Sequence, residues 1–501
     1  MSHPGLVLAN KLEAPIETIL VSVMPQETKV AFYEEGELCE FQLERDFSHS
    51  TLGNIYIGRV KRILPGLQSA FVEIGLERTA FLQYVDLVEN KISAKDQEPF
   101  PIESLLHEGQ SILVQVIKEP IANKGARLST QISLVGRYLV FLPQDQGVAV
   151  SQRIEDEIQK ESLKQLLSSM IPAGHGGGYI VRTRAMEATQ QELQFDLDFL
   201  DQLWAKIQRK ARSQKTPSLL FKDLDLSLRL LRDHVGENTQ AILVDSLSTV
   251  QRMQAFSGHY GAGLTDKIIY FEEDHTPLLE RYHTEEKLSK AFYPTVRLKA
   301  GGYIVIESTE SLTTIDVNTG GFVGVNNFQQ TILQTNLEAC SVIARQLRLR
   351  NLGGIIIIDF IDMQDEEDQQ EVLQRLAYFL KLDKTKITLH GFTALGLVEL
   401  TRKRTKNSLK ALLMHRCPSC GGYGCVKSTQ TICYEIMQLI YKEVSRFRYP
   451  AVKLLASTEV VKSFLQQESK PLLTLSEALG VEITLIAKDT FDRGCYKVLP
   501  E

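Results

Sequence analysis

The chain has little cysteine and almost no tryptophan: seven cysteines and one tryptophan in 501 residues. An odd set at Cys39, Cys340, Cys417, Cys420, Cys425, Cys433 and Cys495 does not read as a disulfide framework. Long apolar runs are missing. The tightest, Gly353 to Ile361, is broken by Asp359, well short of the roughly 18–20 apolar residues that span a bilayer. The N-terminus, MSHPGLVLANKLEAP, has no basic region followed by a long apolar stretch. No membrane span and no secretory signal are therefore expected, and the cytoplasm is the expected location. A large excess of either charge is missing too: 56 Lys+Arg against 62 Asp+Glu leaves −6. That excludes a protein that coats nucleic acid over its whole surface, though not a local basic groove. No internal repeat is visible. Gly174 to Gly178 lacks the Gly-Lys-Ser/Thr of a phosphate-binding loop and reads as a flexible turn.

What is present is an ordinary globular composition, 43% hydrophobic and 24% charged, over a length that allows about three to five modules. Residues 17–47 predict a small β-meander turning at Glu34-Glu35-Gly36-Glu37. Short alternating strands at 53–87, split by Pro65-Gly66 and Gly75, with more at Ser111 to Ile117 and Arg127 to Ser133, suggest a small barrel. Helices are expected over Arg153–Met170 and Glu187–Ala211, with a basic linker at Arg209 to Pro217. The most patterned stretch is 294–412. It holds the strands YIVIE and LTTIDV and a long helix over Phe328–Leu349, ended by Gly353-Gly354. GIIIIDFI follows and reads as a strand buried on both faces, then a helix over Glu366–Leu382 and a strand near Ile387–Leu389.

Two carboxylates stand out. Asp316 ends LTTIDV and Asp359 ends IIIID, and strand ends of an α/β sheet are where ligands bind. Acids at neighbouring strand ends repel, which a hard divalent cation offsets. Mg²⁺ accepts one or two protein carboxylates and takes its other ligands from water and phosphate. Asn318 is placed to orient Asp316. The competing reading is that each Asp only caps a turn. The knuckle Cys417-Pro-Ser-Cys420 suits two thiolates on Zn²⁺. Cys425 could be a third ligand and His415 a weaker fourth, or two chains could share one ion through Cys417 and Cys420. A redox motif of thioredoxin type is disfavoured, because no βαβ pattern is seen after the knuckle. Two basic runs, Arg345/Arg348/Arg350 and Arg402 to Lys410, either face phosphates or line a solvated surface. In the barrel, Tyr56, Phe71 and Phe81 could stack bases beside Lys61, Arg62 or Lys124, or could be core.

The strings TIDVNTGGFVG (314–324), ARQLRLRNLGGIIIIDFIDM and LGLVELTRKRT, with CPSCGGYG, resemble the ribonuclease E/G family of endoribonucleases from about Glu17 to the C-terminus. Length and the lack of a long tail look more like its ribonuclease G branch. The resemblance implies an α/β multidomain fold. An RNase H-like subdomain (1–50 and 218–293) would be split around an S1 RNA-binding barrel of the OB class (51–130) and a 5′-sensor (131–217). A DNase I-like catalytic subdomain (294–412), a zinc-link (413–426) and a small C-terminal domain (427–501) would follow. It implies that Asp316 and Asp359 hold one Mg²⁺ per chain and that Asn318 supports Asp316. Phe71, Phe81 and Lys124 would contact RNA, and Arg182 with Thr183 would recognise a 5′-monophosphate. Cys417 and Cys420 would share a structural Zn²⁺ between two chains of a homodimer or larger homo-oligomer. The implied activity is single-strand-specific hydrolysis of RNA, leaving 5′-phosphate and 3′-hydroxyl ends, in rRNA processing and mRNA decay. The alternatives are a non-catalytic S1-type RNA-binding scaffold with structural zinc, and a metal phosphodiesterase acting on DNA. Two departures stand against the family pattern: Arg184 with Met186-Glu187 where small residues are usual, and the additional Cys425.

Overall fold

The computed structural model describes residues 15–501 apart from 46–50, 88–100, 120–124, 155, 173, 259–261, 273–274, 321–327, 405 and 493. The chain divides into two compact units, Met1–Leu409 and Lys410–Glu501.

In the larger unit the meander forms as expected: β1 (Glu17–Val23), β2 (Glu27–Glu34) and β3 (Glu37–Arg45). The centre of β1, Ile19-Leu20-Val21, is fully buried because strands flank it on both edges. One neighbour is β2 and the other is the distant β14 (Thr239–Val244), parallel to it and followed by β15 (Ile268–Tyr270), in the order β15-β14-β1-β2-β3. Beside this sheet lies helix α3 (Leu226–Asp233), and α4 (Leu247–Ser257) follows β14.

Strands β4 (Ile55–Leu64), β5 (Ser69–Glu73), β6 (Ala80–Gln83), β7 (Ser111–Lys118) and β8 (Arg127–Ser129) close a barrel through the pairing of β4 with β7. This five-stranded barrel is consistent with the S1/OB expectation. Tyr56 lies in its core and is only 5% exposed, so it is no stacking residue.

Next come β9 (Leu134–Val135), β10 (Leu139–Leu142), β11 (Gly147–Val150) and β12 (Gly178–Val181), a four-stranded sheet in the order β11-β12-β10-β9. Helix α1 (Glu157–Met170) precedes β12 and α2 (Gln190–Ser213) follows it. A reciprocal capping box of Thr189 and Glu192 sets the start of α2. The helix takes in the first part of the basic stretch expected as a linker, to Ser213, and β13 (Ser218–Phe221) then joins the barrel at β4.

The last sheet of this unit runs β16 (Thr295–Arg297), β17 (Tyr303–Ser308), β18 (Leu312–Asn318), β19 (Gly354–Asp359), β21 (Val398–Arg402), β20 (Ile387–Phe392). Within it only β18 and β19 are parallel, joined through α5 (Phe328–Leu349). Helix α5 packs with α6 (Glu366–Leu380) and the sheet in one core that includes Ile315, Ile343, Ile356, Ile358 and Val372. One face of the sheet is thus covered and the other is open. The isoleucine run is therefore not buried on both faces: Ile356 and Ile358 are sealed, while Ile355 is half exposed. The end of α5 also differs from expectation. Asn351, at φ +47°, takes the left-handed position, and Leu352 N–H bonds the Leu347 carbonyl. The glycine pair lies beyond that cap, and Gly354, at φ +102°, opens β19 against the Arg404 guanidinium.

The smaller unit holds α7 (Thr429–Phe447), β22 (Ala451–Ala456), α8 (Thr458–Gln466), α9 (Ser469–Leu479), β23 (Glu482–Ala487) and β24 (Tyr496–Pro500). β23 is parallel to β22, so a strand–helix–strand crossover does follow the cysteine knuckle. The topology therefore does not stand against a redox motif, contrary to the sequence expectation. The knuckle nevertheless precedes α7 and is not at the start of the crossover helix.

Candidate functional site

Asp316 and Asp359 are direct partners across the parallel β18–β19 pair, about 4.8 Å apart at the backbone as adjacent strands are. Alternation along each strand fixes their direction. Ile315, Val317 and Ile358 point into the core, so both acids stand on the open face and are exposed. Asn318 follows Asp316 by two residues, hence on the same face, and its Nδ2–H donates to Asp316 Oδ2 at 2.8 Å. Burial raises the Asp359 carboxyl above its ordinary range, and the charges of Asp316 and Asp362 raise it further. Among the described residues no group of three or more His, Cys, Asp and Glu is assembled for a metal. A site with two carboxylates, one of them oriented by an amide, and open space beyond fits a divalent ion that keeps waters and accepts phosphate oxygens. The acids that follow do not join it: Glu366, Glu367 and Asp368 occupy the first turn of α6, where they suit the helix dipole.

The basic runs go elsewhere. Arg348 forms a two-pronged ion pair with Glu34, one contact at 3.1 Å. Arg350 donates to Gln346 at 2.7 Å. Arg402 is sealed against Asp383, at 2.7 Å with 5% and 6% of the two side chains exposed, and also donates to Asn351 and Leu352. These three cations hold elements together, whereas Lys403, Lys406 and Lys410 of the second run are exposed, as the solvated-surface reading expects.

On the barrel, Phe71 and Phe81 are cross-strand partners with rings 5.9 Å apart and tilted by 59°. Both are half-buried and lie outside the barrel core, whose members are their neighbours Ala70, Val72, Ala80 and Leu82. Arg62 stands opposite Phe71, and Arg127, which the sequence did not single out, stands opposite Phe81. Arg62, Phe71, Phe81 and Arg127 thus form a row across one barrel face, in which Arg127 is paired with Asp86 at 2.7 Å. Lys124 lies outside the described residues.

Arg182 and Thr183 follow β12. The Arg182 guanidinium donates to the Gly136 carbonyl and, at 2.8 Å, to Asp233 Oδ1. Thr183 lines a cavity of about 340 Å³ together with Arg184, Glu187, His234 and Lys384. The loop below Arg182 is held by Asp196, a fully buried carboxylate that accepts backbone N–H from Arg137, Tyr138 and Leu139 at 2.7–3.2 Å. A Cβ on Gly136 would meet that carboxylate at 2.5 Å, which is why glycine stands there. Sequence reasoning missed Asp196, although an acid on the apolar stripe Leu193–Leu197–Leu200 was a visible signal. Burial pushes the Asp233 carboxyl up, but Arg232 and Arg182 outweigh it and hold the group at about 2. Arg184 does not crowd Arg182: its guanidinium bonds the carbonyls of Asp233, His234 and Val235.

In the smaller unit Cys417 is exposed and Cys420 half-buried. Gly421, Gly422 and Gly424 all have positive φ, which wraps backbone amides around Cys420. The amides of Gly424 and Gly422, with Cys417, lower its thiol pKa. Such N–H···S contacts favour a thiolate and so suit a metal ligand. Neither His415 nor Cys425 joins a group of three with them among the described residues.

Comparison with known proteins gives the family. The Ribonuclease E/G family matches residues 133–405, and the RNase E/G thioredoxin-like domain matches 416–500. Ribonuclease G of Haemophilus influenzae is 44% identical over 487 residues, 96% of this chain and 99% of that protein. Ribonuclease G of Escherichia coli is 40% identical over 486 residues, again 96% and 99%. Ribonuclease E of Escherichia coli is 33% identical over 486 residues, which are 46% of its length. With a family match over more than half its length and relatives aligned almost end to end, the chain belongs to the ribonuclease E/G family.

Proposed function

We propose that this endoribonuclease is Mg²⁺-dependent, specific for single strands and of ribonuclease G type, hydrolysing RNA to 5′-phosphate and 3′-hydroxyl ends. The observation that carries the reading is the registered pair Asp316/Asp359 on an open sheet face with Asn318 bonded to Asp316. Mg²⁺ bound there supplies a polarised phosphoryl oxygen and a water of lowered pKa. The chain's own residues do the rest. Asp316 and Asp359 hold the ion, and Asn318 keeps the Asp316 carboxylate from rotating. Phe71 and Phe81 stack unpaired bases, and Lys124 joins them. A duplex cannot offer those ring faces, which is the source of single-strand specificity.

Arg182 and Thr183 form a 5′-sensor, where a guanidinium fork and a hydroxyl suit a terminal monophosphate. The sheet carrying the acid pair is the DNase I-like catalytic subdomain, and the β15-β14-β1-β2-β3 sheet is RNase H-like. Cys417 and Cys420 give two of the four thiolates a structural Zn²⁺ needs, the other two coming from a second chain. The expected substrates are rRNA precursors and mRNA in the cytoplasm. Among the described residues no helix is long and apolar enough to cross a membrane.

The test is cleavage of matched RNA and DNA oligomers, single- and double-stranded, with Mg²⁺ or EDTA. Cleavage confined to single-stranded RNA with Mg²⁺ supports the reading. Equal cleavage of DNA moves the protein to the broader phosphodiesterase class, and binding without cleavage moves it to the scaffold class.

A further inference from the structure

The open sheet face that carries the acid pair also carries an aromatic ring and a cation with no task so far. Tyr303 opens β17 and is the direct cross-strand partner of Asn318, as Val305 is of Asp316. Ile304 and Ile306 alternate with them into the core, so Tyr303 and Val305 share the open face with the acids. β16 extends the arrangement: Arg297 stands opposite Tyr303, while Val296 packs against the core. The row Arg297–Tyr303–Asn318 therefore runs beside the row Val305–Asp316–Asp359. Diagonal neighbours in such rows are about 7–8 Å apart, which sets the spacing between the bases of the Tyr303 and Asp316 side chains.

The ring is not used by the fold as other tyrosines are. Tyr33, Tyr138 and Tyr179 are buried, and each hydroxyl has a partner: Thr284, Glu192 and Asp201. That is the usual state of a core tyrosine. Tyr303 is only half-buried, and among the described residues its hydroxyl has no hydrogen bond and its ring no aromatic neighbour. One edge lies against Gly320, where an added Cβ would come within 3.8 Å of the ring. Arg297 is exposed, and among the described residues its guanidinium has no carboxylate. A ring with open surface, an unpaired guanidinium on one side and phosphate-binding chemistry on the other make a seat for a nucleotide: any base offers a π-face, and the guanidinium suits the strand's phosphates.

We infer that Tyr303 is a nucleobase platform for one of the two nucleotides that share the scissile phosphate, with Arg297 on a neighbouring phosphate. The platform rests on the reading that Asp316 and Asp359 are the cleavage centre. With a phosphate at the acids, one ribose bridges the diagonal, passing over Val305 and leaving its base on Tyr303. Phe71 and Phe81 lie on a different sheet, the barrel, so this contact is separate from theirs and acts at the cut itself. It fixes the rotation of the nucleotide about the phosphate, which is worth rate as well as affinity. Stacking tolerates any base, so Tyr303 requires that a base be present and does not select which. A side chain that merely seals the sheet end would be replaceable by any large apolar residue and would be blind to the base.

The experiment uses the full-length protein and one single-stranded RNA with a single mapped cut. The nucleotide on either side of the cut carries its base, is abasic, or carries 2-aminopurine, whose fluorescence is quenched by stacking. The proteins are wild type, Tyr303→Leu, Tyr303→Phe, Arg297→Gln and an Asp359→Asn control. In the wild type, kcat/KM falls about 5–150-fold when one of the two positions is made abasic. Tyr303→Leu loses a similar factor on the intact strand and nothing further on the abasic one, while Tyr303→Phe matches the wild type. Bound to Asp359→Asn, 2-aminopurine at that position is quenched, and adding Tyr303→Leu restores its emission. This reads stacking without cleavage, and it decides alone if Tyr303→Leu does not fold. Arg297→Gln weakens binding of intact and abasic strands alike and lowers the salt dependence by about one phosphate. An unchanged salt dependence overturns the part assigned to Arg297. Losses that add when Tyr303→Leu meets the abasic strand overturn the platform and leave the acid-pair reading intact. So does a Tyr303→Phe as impaired as Tyr303→Leu, or 2-aminopurine unquenched at both positions. Full cleavage by Asp359→Asn overturns the acid-pair reading itself, and the platform with it.

Discussion

The acid pair and the Arg182 guanidinium make opposite use of charge. Asp316 and Asp359 stand side by side with no cation of the chain bridging them among the described residues, and their mutual repulsion adds to burial in raising Asp359. Arg182 is the reverse: its guanidinium is already occupied by Asp233 and the Gly136 carbonyl. On the proposed function the first site is incomplete until a positive ion arrives. The second is complete, and a ligand must compete with an internal carboxylate. An unsatisfied site suits a resident ion that is always needed, and a satisfied one suits an optional signal that biases an existing balance.

Predictions follow from that contrast in order of size. Removing a ligand from the incomplete site has the largest effect. Asp359→Asn lowers the cleavage rate about a thousandfold or more, since a Lewis-acid metal contributes several kcal/mol to the transition state. RNA affinity, carried by the barrel, changes little. Normal turnover in that variant would break the contrast at once. Next comes Arg402→Ala, which leaves Asp383 charged in a sealed site. Breaking a buried pair costs about 3–5 kcal/mol, read as a large fall in Tm. An unchanged Tm would mean that Arg402 is not structural and reopens its use on phosphate.

Asn318→Ala tests whether orientation matters at the open site. The loss of an outer hydrogen bond lowers metal affinity about 10–100-fold, so high Mg²⁺ restores most of the rate. A defect that Mg²⁺ does not rescue would give Asn318 another role.

The smallest effect concerns the occupied site. Asp233 is held at about 2 in the fold, against about 3.9 when unfolded. Its contribution, on the order of 2 kcal/mol, is present above pH 4 and is lost as pH falls toward 2. Asp233→Asn should unfold with a flatter acid limb than the wild type. Identical limbs would mean that Arg182 and Arg232 do not hold the carboxylate.

The same contrast explains what could be read from sequence. Asp316, Asn318 and Asp359 were legible because strand alternation and strand ends are local facts. The meander, the barrel strands and α5 were legible for the same reason. Asp196, Asp233 and Arg127 were not, because their meaning lies in partners far along the chain. Asp196 holds a loop about sixty residues away, and Asp233 meets Arg182 only in the fold. The basic runs were legible only in part, because a run of like charge does not say which of its members is buried: Lys403, Lys406 and Lys410 are exposed, but Arg348 and Arg402 are not. Arg348 and Arg402 find their acids across 314 and 19 residues. The isoleucine run misled because the sheet has helices on one face only.

The most direct measurement of the central claim takes a short, single-stranded, A/U-rich RNA with a 5′-monophosphate. It is incubated with wild type and with Asp316→Ala, each in Mg²⁺ and in EDTA, and the product ends are mapped. The account predicts cuts with 5′-phosphate ends in wild type with Mg²⁺, and none in EDTA or in the variant. Equal cutting by Asp316→Ala, or 5′-hydroxyl ends, would contradict a hydrolysis centred on the Asp316–Asp359 pair.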